Sequence, residues 1–481
     1  MTLSSYDGRS IASSRTSHDS SPRVDKPDHN HEDSDETGTT HRIVTLHGRC
    51  SMDSIRPLIA RYGQVSHMGI LDPSYSLFVN TTRTAALCFK VCNRVAIVSG
   101  DPMCPPELFA SVLSEFRAWR KTQRLGLSFL GTSERMVDYA HQTTTGHEHW
   151  TILEFGRERV LDPTTNPVVH EQQQMGKRIL MQNRQLLNPT KGGIELDVYV
   201  PPLPSSTSPS LSASQSELES NLSAIYTSWC HHRNTSQDTP SPSPSSQSST
   251  QKPQSQAYIT TYTPLSHPHR TLLTYLYTLD PTTKKPNGLA VLRYLGAHNG
   301  YHLDPCIALP NSPKGISDLL VFAAMALLRE MGCRYLTLGF EPFEELGRHG
   351  AGAGAVAGLT SPLIERLTRR AYRFAFARLP VQGKRAYFDK FRPDPEKEGG
   401  LFLMFVAEDD HHDPDQEYGK GNGKENGGDR HGWDRWNLNH LRRRRAGLLL
   451  GTPEIRQVIG VAHFANIRIR RVVWGDFKFV R

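Results

Sequence analysis

The chain has 481 residues, a formal net charge of +8 and 37% hydrophobic residues, so long segments cannot join a core and a folded part of roughly 300 residues is expected. No run of eighteen apolar residues occurs, which excludes a helix that spans a membrane and leaves peripheral contact as the expectation. The seven cysteines lack metal-ligand spacing, and the first forty residues lack the apolar segment of a secretory signal. A cytoplasmic protein is expected, peripheral on intracellular membranes or lipid bodies.

Composition divides the chain into segments. Three stretches rich in Ser, Pro, Gln, Gly, Asp and His are predicted to be disordered, because they bury too little apolar area to offset the entropy of ordering. They are an N-terminal tail (1–40) and two inserts (201–256 and 408–432). Two patterned blocks (41–200 and 257–407) and a basic, apolar C-terminal segment (433–481) make up the rest.

The first block begins with alternating apolar residues in "AALCFKVCNRVAIVSGDP", which predict two strands joined by a turn at Asn93 and Arg94. The stretch "LFASVLSEFRAWRKTQRLG" predicts a helix that ends at Gly126, and "LSFLGTS" predicts a strand. The Gly100-Asp101-Pro102 turn at the end of a strand places a carboxylate where it can orient an amine or a hydroxyl. The alternative is an ordinary Gly-Asp-Pro turn.

A basic helix is predicted in "GKRILMQNRQLLNPTKGG", which brings together Lys177, Arg178, Arg184 and Lys191. Such a helix usually presents only a solvated face. The functional interpretation is a surface that contacts the phosphates of a polyanion.

The second block repeats the order of the first. Strands are predicted in "YITTYTP", "TYLYTLD", "NGLAVLRYLG", "CRYLTLGF" and "GLFLMFVA", and helices in "ISDLLVFAAMALLREMG" and "SPLIERLTRRAYRFA". Strand, strand, loop, helix, strand therefore occurs twice. The prediction is an α+β protein with two related halves, a tandem N-acetyltransferase-like fold.

The loop "PNSPKGISDLL" carries the candidate chemistry of the second block. Pro313 begins a turn, Gly315 permits close approach of a ligand, and Lys314 adds a positive charge where free helix amides attract an anion. Ser317 and Asp318 are expected to satisfy amides of the first turn. An ordinary loop with a surface lysine is the alternative. The single glycine argues against a coenzyme-A-like cofactor.

Two further basic segments have open interpretations. In "KRAYFDKFRPDPE", Lys390 and Arg392 are interleaved with aromatic residues, which suits stacking on an unpaired base, whereas a packed aromatic strand edge is the alternative. The C-terminal "HLRRRRAGLLLG" fits either an anionic membrane surface or a nuclear-localisation-like cluster.

Taken in order, five motifs resemble the catalytic domain of the bacterial phosphatidylglycerol lysyltransferases, the multiple peptide resistance factor family. They are "ALCFKVCNRVAIVSGDPMCPPE", "LEFGRERVLDPTTN", "GKRILMQNRQ", "SPKGISDLLVFAAMALLREMGCRYLTLGFEP" and "YFDKFRPDPEKEGGLFLMF". The resemblance implies a tandem acetyltransferase-like fold in which aminoacyl-tRNA donates its amino acid to a lipid hydroxyl. The chain resembles the free-standing fungal members, which attach an amino acid, expected here to be glycine, to the 3-hydroxyl of ergosterol.

The resemblance also implies roles for particular residues. Lys390 and Phe391 match a Lys-Phe pair late in the family pattern, but Phe388 stands where the family has another lysine. Loss of that charge argues against a phospholipid acceptor and is compatible with a sterol. The implied substrate-binding residues are Gly100, Glu158, Pro313, Gly315 and Glu341.

The implied mechanism is direct ester exchange, with Asp318 or Asp101 as the carboxylate that takes the proton and Lys314 as the cation. The donor is expected to be glycyl-tRNA, held by Lys177, Arg178, Arg184, Lys390 and Arg392. No cofactor, metal or DNA is expected. Transfer to phosphatidylglycerol, or a non-catalytic module that binds tRNA or membranes, are the alternatives.

Overall fold

A computed structural model describes the residues 42–45, 55–143, 148–170, 177–202, 212–235, 265, 272–346, 356–359, 362–376, 384–408 and 455–464. The expectations for the N-terminal tail, for most of the second insert, for the "YITTYTP" strand and for the arginine cluster at 442–445 lie outside these residues. The predicted domain boundaries stay predictions.

Thirteen strands of the described part of the chain form one sheet. In chain order they are β1 (Ile43–Thr45), β2 (Ser76–Val79), β3 (Ala86–Cys92), β4 (Val95–Ser99), β5 (Gly126–Thr132), β6 (Glu148–Leu161), β7 (Glu195–Tyr199), β8 (Leu273–Leu279), β9 (Pro286–Leu295), β10 (Gly300–Ala308), β11 (Leu336–Pro342), β12 (Val356–Ala357) and β13 (Gly400–Glu408).

The helices lie on both faces of this sheet. They are α1 (Arg56–Tyr62), α2 (Phe109–Thr122), α3 (Glu134–Thr143), α4 (Lys177–Leu187), α5 (Ala213–Thr235), α6 (Ile316–Glu330), α7 (Pro362–Phe376), α8 (Lys384–Asp389) and α9 (Ile455–Phe464). None of the described helices has both the length and the apolar composition needed to cross a bilayer.

The strand order shows how the two halves are joined. It is β1-β2-β3-β4-β5-β13-β6-β11-β10-β9-β8-β7, and β12 pairs with β6. In each half one parallel pair is connected through a helix, β4-α2-β5 in the first and β10-α6-β11 in the second. The other pairs are antiparallel.

The halves exchange their last strands. Strand β13, from the second block, pairs with β5 of the first, and β6, from the first block, pairs with β11 of the second. Strands β13 and β6 also pair with each other in the middle of the sheet. The duplicated order predicted from the sequence is therefore confirmed, but the halves interlock rather than lie side by side as separate units.

Alternation along the strands builds a core on each face. In β3, Leu87 and Phe89 pack with Phe116 of α2, whereas Cys88 lies in a cluster with Ile59 of α1. In the second half the buried face of α6 packs on β9, β10 and β11 together with the apolar stripe of α4. The side chains of α6 at this core are Ile316, Leu319, Leu320, Val321, Ala324, Met325 and Leu328.

Two local predictions are corrected by the structure. The helix expected to end at Gly126 ends at Thr122, because Arg124 has a left-handed φ of 54° that closes the helix and leaves Gly126 to begin β5. The segment 201–256 is not wholly disordered, since α5 occupies Ala213–Thr235. Its Leu222, Ile225 and Tyr226 recur at helical spacing and pack on the second half.

Candidate functional site

The Gly100-Asp101 turn is held by hydrogen bonds to other residues of the chain. The Asp101 carboxylate is 1% exposed and accepts hydrogen bonds from Ser133 Oγ at 2.6 Å, Ser133 N at 2.9 Å and Gln64 Nε2 at 3.1 Å. Gly100 has a φ of +72°, and a Cβ there would lie 2.9 Å from Nε2 of His67. This turn therefore joins β4 to the start of α3 and to the 55–71 segment.

Glu158 is buried on the same side of the sheet as this turn. Tyr335 donates its hydroxyl to Glu158 Oε1 at 2.9 Å, and the carboxyl lies in β6 opposite Phe340. Burial raises the pKa of Glu158, although hydrogen bonds from Tyr335 and Thr337 oppose the shift. Glu158 is thus a buried carboxyl held by the hydroxyl of Tyr335.

The mouth of α6 has the open geometry that the sequence predicts. Gly315 caps the helix with a φ of +100°, no side chain caps the first amides, and Gln182 Nε2 donates to the Lys314 carbonyl at 2.9 Å. The Lys314 side chain is exposed and has no partner among the described residues. The prediction that Ser317 and Asp318 satisfy the amides of the first turn is wrong, because the N-cap is Gly315 and no side chain caps the helix.

Asp318 and Lys390 form a pair at this mouth. Lys390 Nζ lies 3.3 Å from Asp318 Oδ2 and 4.9 Å from the ring centroid of Tyr387. The Asp318 side chain is 14% exposed, so the carboxylate remains within reach of a ligand. The Tyr387 hydroxyl is buried with no hydrogen-bond partner among the described residues, and burial raises its pKa, so it stays protonated.

A second charged cluster adjoins this pair. Arg157 contacts Glu341 at 3.0 Å and Glu398 at 2.9 Å, and Arg159 contacts the same two carboxylates at 3.3 and 3.1 Å. Arg159 also pairs with Asp389, the residue before Lys390. Glu341 is therefore already neutralised by two arginines, and α8 connects this cluster to the α6 mouth.

The basic helix lies beside the mouth as well. Ile179 and Leu186 of α4 pack into the core that contains α6, and Gln182 reaches the Lys314 carbonyl. This leaves Lys177, Arg178 and Arg184 exposed on the outer face of α4. The predicted tRNA-binding residues of α4 and the predicted ester-transfer loop are thus neighbours.

The aromatic residues near Lys390 do not form an open stacking surface. Phe388 is 5% and Phe391 is 0% exposed, and both belong to the α6 core. These aromatic residues are packed, as in the alternative, but they lie on α8 and in the turn after it rather than at a strand edge. Arg392 is exposed with a φ of 55°, and its carbonyl accepts a hydrogen bond from Asn166 Nδ2 at 3.1 Å.

The two predicted carboxylates lie at opposite edges of the sheet. Strands β10 and β11 are parallel, so the loops that follow them lie at the same edge of the sheet. Strands β11, β6, β13 and β5 are antiparallel to one another in turn, so β4 and β5 run opposite to β10 and β11. Lys314, Asp318 and Glu341 share the first edge. Asp101 lies at the other, together with the amino-terminal ends of β10 and β11.

Sequence reasoning missed several side chains of the site. Gln182, Tyr387 and the Arg157–Arg159–Glu398 cluster are brought in by tertiary contacts. The alternation of Arg157 and Arg159 in a strand was a usable signal, because buried charges are usually paired. Within the described residues, no group of three His, Cys, Asp or Glu side chains is placed to hold a metal ion.

A family model described as phosphatidylglycerol lysyltransferase, C-terminal, matches residues 56–166 and 213–398, more than half of the chain. The chain belongs to this family. No curated protein matches the sequence. The match covers β2 to β6, β8 to β12 and the α6 mouth, and it includes Asp101, Glu158, Lys314, Asp318 and Lys390, but it leaves out α4 and β7.

Solved structures show the same fold at low identity. The structure of L-PGS from Bacillus licheniformis has 16% identity and a TM-score of 0.50, over 74% of this chain and 91% of that chain. The C-terminal domain (DUF2156) of a putative lysylphosphatidylglycerol synthetase from Agrobacterium fabrum has 14% identity and a TM-score of 0.50, over 84% and 98%. The predicted α+β, tandem acetyltransferase-like fold is confirmed.

Proposed function

We propose that the chain transfers an amino acid from aminoacyl-tRNA to a lipid hydroxyl at the mouth of α6. Membership of the phosphatidylglycerol lysyltransferase family supports the reaction class. The observation that carries the location is the Asp318–Lys390 pair beside uncapped helix amides and the unpartnered Lys314. In the described part of the chain, this is where predicted catalytic residues meet predicted tRNA-binding residues.

The chemistry is an exchange of one ester for another. The lipid hydroxyl oxygen attacks the ester carbonyl of the aminoacyl group, and the bond from that carbonyl carbon to the ribose oxygen breaks. Asp318 takes the proton of the attacking hydroxyl and returns it to the ribose oxygen, so protons balance and no covalent enzyme intermediate forms. Lys390, Lys314 and the first amides of α6 stabilise the negative charge that develops on the carbonyl oxygen.

The proposed donor surface is the exposed face of α4 with Lys390 and Arg392. Arginine and lysine contacts to phosphates position a nucleic acid without reading its sequence. Because Gln182 on α4 contacts the Lys314 carbonyl, a tRNA end held by α4 is delivered to the α6 mouth. Aminoacyl-tRNA is then a co-substrate, and the proposal includes no separate cofactor.

The proposed acceptor is the 3-hydroxyl of ergosterol, and the proposed amino acid is glycine. The support for a sterol is Phe388, which stands where the family pattern has a lysine and is buried in the α6 core, so it offers no charge to a lipid phosphate. Glycine follows from the resemblance to fungal members that form ergosteryl glycine. The enzyme would act at the surface of an intracellular membrane.

The test uses purified full-length protein, aminoacyl-tRNAs labelled in the amino acid, and liposomes that contain either ergosterol or phosphatidylglycerol. A labelled sterol ester that forms only with glycyl-tRNA and disappears after RNase treatment is the expected result. Matched liposomes without either acceptor give the background. If labelled phosphatidylglycerol forms instead, the acceptor is phosphatidylglycerol and not ergosterol. Product that still forms after RNase treatment would contradict the use of tRNA.

A protein that binds tRNA and liposomes but yields no labelled lipid with any aminoacyl-tRNA would be a non-catalytic binding module. Asp318→Asn tests the transfer wherever the parent protein forms product. In an active enzyme the variant retains tRNA binding and loses product, whereas in a binding module it changes neither measurement.

A further inference from the structure

Helix α7 has leucines on its outer face, whereas the charged pair of Glu365 and Arg369 lies on the face towards the protein. Leu363 and Leu367, one turn apart, are 65% and 58% exposed. On the inner face, Arg369 pairs with Glu365 and donates to the Leu346 carbonyl, both at 2.5 Å. Burial of apolar area therefore does not explain why leucines occupy the outer face.

Two arginines flank the exposed leucines. Arg366 and Arg370 are exposed, and neither has an ion pair or hydrogen bond within the described part of the chain. A third arginine, Arg373, is 3.3 Å from Glu345. The outer face of α7, defined here by Leu363, Arg366, Leu367 and Arg370, thus combines apolar area with uncompensated positive charge.

The helix is fixed at the edge of the sheet that carries the α6 mouth. Tyr372 OH lies 2.8 Å from the Phe155 carbonyl oxygen and 2.7 Å from that of Phe343, the residue after β11. Strands β10 and β11 are parallel, so α6 begins at the same edge at which β11 ends. A surface that contacts the outer face of α7 is therefore on the side of the molecule where the proposed transfer takes place.

We propose that the outer face of α7 docks the protein on an anionic lipid bilayer. Leucines enter the boundary between headgroups and acyl chains, while the arginines contact lipid phosphates. The phosphates of tRNA would also attract Arg366 and Arg370, but they give no reason for the exposure of Leu363 and Leu367. The choice of a lipid partner rests on the proposed function, whereas the docking itself is measurable without it.

The experiment places a reporter on this face of the full-length chain. In Leu367→Trp, the added indole is expected to be quenched by vesicles of phosphatidylserine and phosphatidylcholine with brominated acyl chains. Met331→Trp is the matched control, because Met331 is 57% exposed and follows the other end of α6. Its indole is expected to show no quenching beyond the parent protein. Equal quenching of the two variants, or none at position 367, would overturn the proposal.

Sedimentation with the same lipids, unbrominated, tests the two kinds of side chain. Leu363→Ala with Leu367→Ala is expected to lower the vesicle partition coefficient about tenfold or more, with unchanged tRNA binding. Arg366→Glu with Arg370→Glu is expected to lower partition about tenfold on anionic vesicles and little on phosphatidylcholine alone. If the leucine variant partitions like the parent while the arginine variant loses tRNA affinity, the face binds nucleic acid and the proposal fails.

Neither the quenching nor the sedimentation experiment uses aminoacyl-tRNA, so the docking proposal and the proposed function are tested independently. A parent protein that docks but yields no aminoacylated lipid removes the proposed function and leaves this inference. Transfer to a detergent-dispersed acceptor is expected to be the same in the parent and in the leucine variant, because α7 contributes no group to the α6 mouth.

Discussion

At the scale of residues, the two candidate carboxylates differ in what surrounds them. Asp101 receives three hydrogen bonds from its own chain and is almost wholly buried, whereas Asp318 has a lysine partner and remains partly exposed. A proton acceptor must reach the attacking hydroxyl directly or through one water. This difference supports Asp318, rather than Asp101, as the proton acceptor in the proposed reaction.

Asp318→Asn is expected to lower kcat for lipid aminoacylation about 10²- to 10⁴-fold, because the amide cannot take the proton of the acceptor hydroxyl. Single-turnover transfer with preformed aminoacyl-tRNA measures the chemical step. Glu330→Gln, at the far end of the same helix with its side chain 74% exposed, is the matched control and should leave the rate unchanged. An Asp318→Asn enzyme with the parent rate would remove Asp318 from the mechanism.

Gly315→Ala is expected to lower the free energy of unfolding by about 1–3 kcal/mol, because the residue has a φ of +100° and its Cβ would lie 2.1 Å from Gln182 Nε2. Urea unfolding measures the loss. Gly332→Ala, with a φ of +71° and nothing within 4 Å of a Cβ, should lose only the cost of the left-handed backbone. Adding Gln182→Ala should restore part of the loss at Gly315, and no restoration would mean that backbone strain alone is responsible.

His67 makes stability depend on pH. Its imidazole contacts Gln64 N and the Asp101 carbonyl, and burial lowers its pKa from 6.5 to about 4. The unfolded chain binds the proton first on acidification, so this contribution is fully present above pH 6.5 and is lost as the pH falls towards 4, by about 3 kcal/mol in all.

Urea unfolding between pH 4 and pH 8 checks this dependence. His67→Asn should be less stable at pH 8 but should lack this part of the decline. The exposed His141, in the last turn of α3, provides the control: His141→Gln should keep the decline of the parent. Parallel curves for the parent and His67→Asn would contradict the assignment.

At the scale of elements, α9 shows how a distant segment completes the sheet. The pairing of β5 with β13 stops at Ser128 and Phe405. Next to this pair, Gln457 Nε2 donates to the Leu127 carbonyl at 2.9 Å and to the Val406 carbonyl at 2.8 Å. One buried amide group thus replaces the ladder where the two strands diverge.

Gln457→Leu is expected to lower the free energy of unfolding by about 1–3 kcal/mol, because it leaves two buried carbonyls without donors. Val458→Ala, at a neighbouring position 46% exposed, should change it little. Chemical denaturation of the two variants side by side decides the matter. Similar small losses in both would mean that α9 is only loosely attached to the sheet.

Most helices and strands could be predicted from local sequence patterns, whereas the pairing of the strands could not. Alternation in β3 and β4 and the apolar spacing of α6 identified these elements, because such periodicities are local properties of the chain. The place of β13 was not predictable, since Thr132 and its partner Phe402 are 270 residues apart. Helix α5 was missed because the polar composition of the insert concealed a short apolar stripe.

The same limit applies to the site. The Lys314–Gly315 turn is a local signal and was predicted, whereas the approach of Lys390 to Asp318 joins residues 72 positions apart. Lys390 was expected among the tRNA contacts, and the structure places it next to the predicted catalytic carboxylate. Which of several charged residues meet in space is decided by packing that no motif records.

At the scale of the whole molecule, the exchanged strands make each half dependent on the other. Without β13 the first half exposes the edge of β5, and without β6 the second exposes the edge of β11. Fragments 1–202 and 212–481, produced separately, are expected to be insoluble or unfolded. Produced together, they should form a soluble one-to-one complex, which size-exclusion chromatography with light scattering detects. A soluble, cooperatively folding fragment 1–202 would show that the exchange is dispensable.

The hydrogen bonds around Asp101 have a consequence for the duplication itself. After β4, as after β10, the chain leaves a parallel strand through a turn and enters a helix. In the first half, Gln64 and His67 fill that opening with groups from the chain, as an internal ligand would. In the second half, no side chain caps the first amides of α6, and we propose that substrate binds there. The two turns therefore differ, because the first is hydrogen-bonded to side chains of its own chain whereas the second is not capped by any side chain.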